Sequence, residues 1–256
     1  MTFHEFGKEN TKTILMLHPL AVDWNVFQYV YPTLALNYHV IIPAIPGMDP
    51  DDTNLEFSSV EEIADEIESF LLNKGMQKLT CIYGCSMGGG IAIRILADNR
   101  IQFEHIVIDA GITPYQMPKI VCFLIAIGDF LMLMLGKVCS VKMLGYMFDP
   151  EKYSKEDLMY VKSVISRMSA RTIWRAFWST DNYSMPKHIE QPEPPVYYWY
   201  GEQEKKARKL DMEYVRSTFL NVKFIEHKGQ DHSEYFTLHP KEFCEDLIGI
   251  MTERNE

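Results

Sequence analysis

The sequence predicts an α/β fold class, a mostly parallel central sheet flanked by helices with a helical segment inserted late in the chain. Three observations carry this. Apolar runs of strand length alternate with amphipathic stretches through the first half of the chain. The alternation breaks at about residue 112 and resumes at about residue 190. A tight glycine-flanked corner separates one strand candidate from the helix after it. Apolar runs of strand length mark strands buried on both faces, as in a parallel sheet covered by helices.

The runs in order are TILML (13–17), HVIIP (39–43), KLTCIY (78–83) and HIVID (105–109). Between the second and third, residues 58–75 carry Val60, Ile63, Ile67, Phe70 and Leu71 at helical spacing, with Ser58 or Ser59 as the cap and Glu61 and Glu62 in the first turn. Residues 112–189 are helix-like and rich in methionine and aromatics. After them come PPVYYWYG (194–201), a helical run at 204–219, VKFIEH (222–227) and a last helix at 240–252. The expected organisation is a core of residues 1–111 and 190–256 with a cap insertion of residues 112–189.

Composition narrows the function classes. A formal net charge of −10 disfavours a phosphate-binding surface, and the one basic run, Lys205, Lys206, Arg208 and Lys209, is interleaved with Glu202 and Glu204. No nucleic-acid partner is expected. The N-terminal stretch MTFHEFGKENTKTILML has acidic residues where an export signal needs basic ones, and five scattered cysteines suit a reducing compartment. A cytoplasmic location is therefore the expectation. The apolar stretch 120–136 approaches the length of a membrane span, but it carries Asp129 at its centre and follows a soluble strand. It is expected to be a buried or lid helix, with no stable membrane insertion.

The corner is Gly84-Cys85-Ser86-Met87-Gly88. A serine between glycines at two-residue spacing, on a strand-to-helix turn, fits a nucleophile elbow: small neighbours allow a reversal that lifts Ser86 Oγ above the sheet edge and turns the Met87 amide toward it. A serine hydroxyl needs a base. His232, in the polar loop KGQDHSEY after the last strand, is the best placed of eight histidines, and His227 and His239 read as structural or exposed. The base needs a carboxylate. Glu204, after the strand VYYWY, is the choice, and Glu202, Asp109 and Asp231 remain competitors. The backbone N–H of Leu20, in the loop after the first confident strand, joins that of Met87 as an oxyanion donor, and His18 reads as a buttress of that loop.

With LHPLAVDW, IPAIPGMD, YGCSMGGG, YGEQE and GQDH in this order, the chain resembles the α/β-hydrolase superfamily, specifically small members with a helical cap. The resemblance implies the α/β-hydrolase fold and a Ser86–His232–Glu204 triad with Leu20 and Met87 as the oxyanion hole. Two positions depart from the family pattern. The usual His-Gly of the first loop is His18-Pro19, which removes one N–H, and the usual aspartate of the second loop is Ala44. An aspartate at the elbow would suit a dehalogenase or epoxide hydrolase, and Ser86 argues against both.

In such proteins the insertion roofs the site. Its methionines and aromatics, among them Phe123, Phe130, Met147, Trp174 and Trp178, are expected to face an apolar acyl or aryl group. The expected function is cleavage of small apolar carboxylic esters through an acyl-enzyme, with no metal or organic cofactor needed. Oligomeric state is left open, a homodimer being one option. Carbon–carbon bond hydrolysis of the meta-cleavage type, amide or thioester cleavage, and slow-turnover ligand reception are the alternatives on the same scaffold.

Overall fold

A computed structural model of the chain describes residues 1–115, 117–145 and 151–252. Along the chain run β1 (Thr2–Phe6), β2 (Thr13–Leu17), a 3₁₀ turn (Trp24–Phe27), α1 (Tyr31–Leu34), β3 (His39–Ala44) and α2 (Val60–Asn73). They are followed by β4 (Lys78–Cys85), α3 (Met87–Asp98) and β5 (Gln102–Asp109). Among the described residues four helices then intervene: α4 (Lys119–Val138), α5 (Val141–Leu144), α6 (Lys155–Arg167) and α7 (Ala170–Asn182). The chain closes with β6 (Val196–Gly201), α8 (Lys209–Thr218), β7 (Val222–His227), α9 (Glu234–Leu238) and α10 (Pro240–Thr252).

The seven strands form one sheet in the order β1-β3-β2-β4-β5-β6-β7, parallel throughout except for the β1–β3 pair. Alternation along each strand splits the core into two layers, because successive side chains leave opposite faces. Leu15 and Leu17 of β2 join Ile82 of β4 and Tyr198 of β6 in the layer under α2 and α3. Ile14 and Met16 face the other way, with Tyr83, Trp199 and the α10 residues Phe243 and Leu247. The parallel arrangement brings the C-terminal ends of β2, β3, β4, β5, β6 and β7 to one rim, where an open α/β sheet builds its sites.

Three features differ from expectation. First, β1 was not foreseen. It is an edge strand whose apolar side chains are divided between faces, Phe3 stacking on Phe70 at 3.6 Å and Phe6 on Tyr31 at 4.0 Å, so it offers no continuous apolar run. Second, α8 begins at Lys209 rather than at 204, and residues 202–208 are turns. Third, α4 is mostly not a buried helix. Only Cys122, Ala126 and Gly136 are buried, and Ile120, Leu124, Leu131, Leu135 and Val138 stay exposed. Among the described residues α4 is the one helix long and apolar enough to cross a membrane by length and composition. Its inner side packs on α6 and α7.

Candidate functional site

The strand β4 runs as far as Cys85, and the next residue reverses the chain. Ser86 adopts φ 54° and ψ −117°, a left-handed-side conformation that a residue with a Cβ holds only when its surroundings enforce it. The enforcement is local. Ser86 N donates to Asp109 O at 2.9 Å, and Ser86 O accepts from Gly90 N and Ile112 N at 3.0 and 3.1 Å. Glycine is required beneath the turn: a Cβ on Gly84 would lie 2.4 Å from Gly88 O, and one on Gly88 would lie 2.2 Å from Leu17 O. Gly88 thus lets the first turn of α3 touch the end of β2 and the start of the loop that carries Leu20. Met87 is the first residue of α3, so its amide has no partner within the helix. Neither it nor the Leu20 amide donates to a backbone acceptor among the described residues.

His18, at the base of that loop, is fully buried. Its Nε2 accepts from Ile45 N at 3.2 Å, so its Nδ1 carries the proton given to Pro19 O at 2.9 Å. Burial pushes the imidazole down to about 4. His18 is a neutral strut between the loop after β2 and the loop after β3. The Leu20 loop is also tied to α6: Asp23 accepts from Tyr160 Oη at 2.8 Å through Oδ1 and from Arg167 at 3.0 Å through Oδ2.

Two rim loops bring the other side chains together. Gly201 ends β6, and a Cβ there would meet Gln230 O at 2.5 Å, so its glycine lets the Glu204 turn nest against the His232 loop. His232 Nδ1 lies 2.7 Å from Glu204 Oε2, and Glu204 Oε1 accepts from Gly201 N at 3.1 Å. Glu204 is buried while the imidazole keeps 39% of its exposure. Desolvation works to raise the Glu204 carboxyl, but the hydrogen bond and charge of His232, the Gly201 amide and nearby Arg208 together hold it below its ordinary range. An ionised carboxylate behind one ring nitrogen leaves Nε2 as the nitrogen free to exchange a proton.

The competitors for the carboxylate are otherwise engaged. Glu202 accepts from Gly229 N at 2.9 Å, and Asp231 accepts from the His232 amide at 2.8 Å rather than from its ring. Asp109 is buried and accepts from Tyr83 Oη at 2.6 Å; burial pushes its carboxyl up to about 6. Among the described residues no hydrogen bond joins Ser86 Oγ to His232 Nε2. Their sequence neighbours are in contact, with Cys85 Sγ 3.2 Å from Ser233 Oγ, so the two loops meet at the rim. Catalytic hydrogen bonds commonly tighten only when substrate is bound.

A cavity of about 370 Å³ opens beside His232, with Pro19, Val22, Tyr153, Tyr160 and Phe236 in its wall. The aromatics expected to line the pocket are not in the wall of this cavity, and neither are Ser86, Leu20 and Met87. Trp174 and Trp178 stack at 6.1 Å, and Phe123 and Phe130 meet Trp174 edge-on at 5.8 and 5.9 Å, which joins α4 to α7 instead of walling this cavity. Met147 lies outside the described residues. The wall residues that sequence reasoning missed were within reach of it, since Phe236 follows His232 by four positions on the same loop and helix; Tyr160 had no such signal. A larger open hollow of about 890 Å³ lies at the opposite edge, by the starts of β5 and β6, away from these groups.

A family model described as the alpha/beta hydrolase family matches residues 14–246. An uncharacterized hydrolase of Saccharomyces cerevisiae is 29% identical over 97 residues, 36% of this chain and 33% of that protein. The 1H-3-hydroxy-4-oxoquinoline 2,4-dioxygenase of Pseudomonas putida is 28% identical over 88 residues, 33% of each chain. The chain thus matches only about a third of the length of these curated relatives. A bromoperoxidase from Bacillus anthracis superimposes with a TM-score of 0.76 at 18% identity, covering 98% of this chain and 95% of that one. Fold, strained corner and matched family agree, and the chain belongs to the alpha/beta hydrolase family.

Proposed function

We propose that the protein is a serine hydrolase cleaving small carboxylic esters of apolar acyl or aryl groups through Ser86, His232 and Glu204. One observation carries the reading: a buried, ionised Glu204 holds His232 by Nδ1 at 2.7 Å, at the same rim as a strained serine. In the proposed cycle Ser86 Oγ attacks the ester carbonyl while His232 Nε2 takes its proton, and Glu204 stabilises the imidazolium. The Leu20 and Met87 amides bind the oxyanion, an interaction whose loss of one donor costs about 100- to 1000-fold in turnover. The imidazolium then protonates the departing alcohol. Water deprotonated by the same nitrogen attacks the acyl-serine, and the acid leaves with Ser86 reprotonated.

The cavity beside His232 supports an apolar substrate, since Val22, Val26 and Phe236 stand in its wall with Tyr153 and Tyr160. Its volume suits a small or medium-sized acyl group. Intact-mass analysis after a fluorophosphonate probe tests the nucleophile: wild type gains one adduct and Ser86→Ala none. A p-nitrophenyl ester chain-length series tests the substrate class, with multiple turnover expected. No adduct on wild type defeats the triad. Adduct formation with turnover of diketones but of no ester defeats the ester reading and favours carbon–carbon hydrolysis.

A further inference from the structure

His4, Asp49 and Asp51 are no part of the proposed triad; they sit on β1 and in the loop that follows β3. One ligand atom from each lies within 4.8 Å of the other two. Two independent features mark the cluster as more than acidic surface. Asp49 is only 3% exposed, and its Oδ2 is sealed from solvent with no hydrogen-bond partner among the described residues. His4 Nε2 is sealed and unpartnered in the same way. Buried carboxylate oxygens and imidazole nitrogens are almost always paired in folded proteins, so two unpartnered ones on residues of one such cluster call for a shared ligand. The other polar contact is internal: Asp49 Oδ1 accepts from Asp51 N at 2.9 Å.

We propose that His4, Asp49 and Asp51 bind one divalent transition-metal ion that fastens β1 to the β3 loop. One imidazole nitrogen and two carboxylate oxygens suit Zn²⁺ and its neighbours better than Ca²⁺ or Mg²⁺, which favour oxygen alone. Zn–N and Zn–O bonds of about 2.0–2.2 Å place ligand atoms about 3.5 Å apart, so groups within 4.8 Å of one another need close by no more than about 1 Å on the ion. The ring of His4 is held for this by stacking on Trp24 at 3.7 Å. Asp51 is exposed and leaves a route of entry, with water completing the coordination. The loop so fastened begins at Ile45, whose amide holds His18 and through it the Leu20 loop. The ion is structural and takes no part in ester chemistry.

The test uses untagged, chelator-stripped full-length protein titrated with ZnCl₂ by calorimetry, with native mass spectrometry for stoichiometry and thermal unfolding as a second readout. Wild type is expected to bind one ion and to unfold at a higher temperature with it. Asp51→Asn, at an exposed position, and His4→Gln, with folding checked by circular dichroism, are each expected to weaken binding by about tenfold or more. No binding by wild type at millimolar Zn²⁺, which would leave the gap to an ordered water, overturns the proposal. Binding unchanged in either variant overturns it as well, by locating the ion elsewhere.

Discussion

Replacing Asp109 with asparagine is expected to make the protein more stable at neutral pH and above, and not in acid. Burial raises this carboxyl from 3.8 to about 6, against the Tyr83 hydrogen bond that favours its ionised form. The folded chain therefore keeps a proton on Asp109 up to about pH 6, while the unfolded chain releases it near 3.8. Stability falls as pH rises through that window, and the full cost, about 3 kcal/mol for two units, persists above it. Asparagine removes the charge and keeps an acceptor for Tyr83; allowing about 1–2 kcal/mol for an imperfect bond, the net gain at pH 7.5 is about 1–2 kcal/mol. His18 acts in the opposite sense. Its folded value near 4 gives stability that is complete above about 6.5 and is lost as pH falls toward 4. The wild-type curve mixes both groups, so the informative quantity is the variant-minus-wild-type difference in urea unfolding at several pH values between about 4 and 8. A difference that does not vary with pH, or a variant less stable than wild type at pH 7.5, refutes the burial argument. Ester turnover of Asp109→Asn should stay within a few-fold of wild type; a collapse would move the carboxylate role from Glu204 to Asp109.

Other outcomes follow from the same geometry. Glu204→Gln, which puts a neutral amide 2.7 Å from His232 Nδ1, should lower kcat by about 10²- to 10⁴-fold with KM little changed, measured by p-nitrophenyl ester turnover. Gly201→Ala, whose Cβ would meet Gln230 O at 2.5 Å, should push the His232 loop away from Glu204 and reduce kcat with modest loss of stability; retention of full activity would show the loops are not so tightly nested. The His18 ring should stay neutral with Nδ1 protonated at pH 6, visible in nitrogen-15 chemical shifts, and should titrate only near 4. Ser59→Ala removes the side-chain acceptor of Glu62 N at the start of α2 and should cost about 1 kcal/mol in urea unfolding.

Much of this architecture was legible in the residues themselves. Apolar runs located β2, β3 and β6 because strands buried along their whole length admit few polar positions, and the mixed run VKFIEH located β7 at the sheet edge. Ser59 and the spacing of Val60, Ile63 and Ile67 located α2, and the glycines around Ser86 located the corner, since only small residues fit its contacts. These are signals set by neighbours in sequence. What tertiary structure alone decided depends on partners far along the chain. The sequence left Glu202, Glu204, Asp109 and Asp231 in contention for His232; the β6–β7 pairing and the close approach at Gly201 determined that Glu204 meets the ring, while Tyr83 takes Asp109. The half-exposed β1 had no periodic run to announce it. The outward face of α4 reads in sequence like a buried one, because hydropathy measures a side chain and exposure is set by what packs against it.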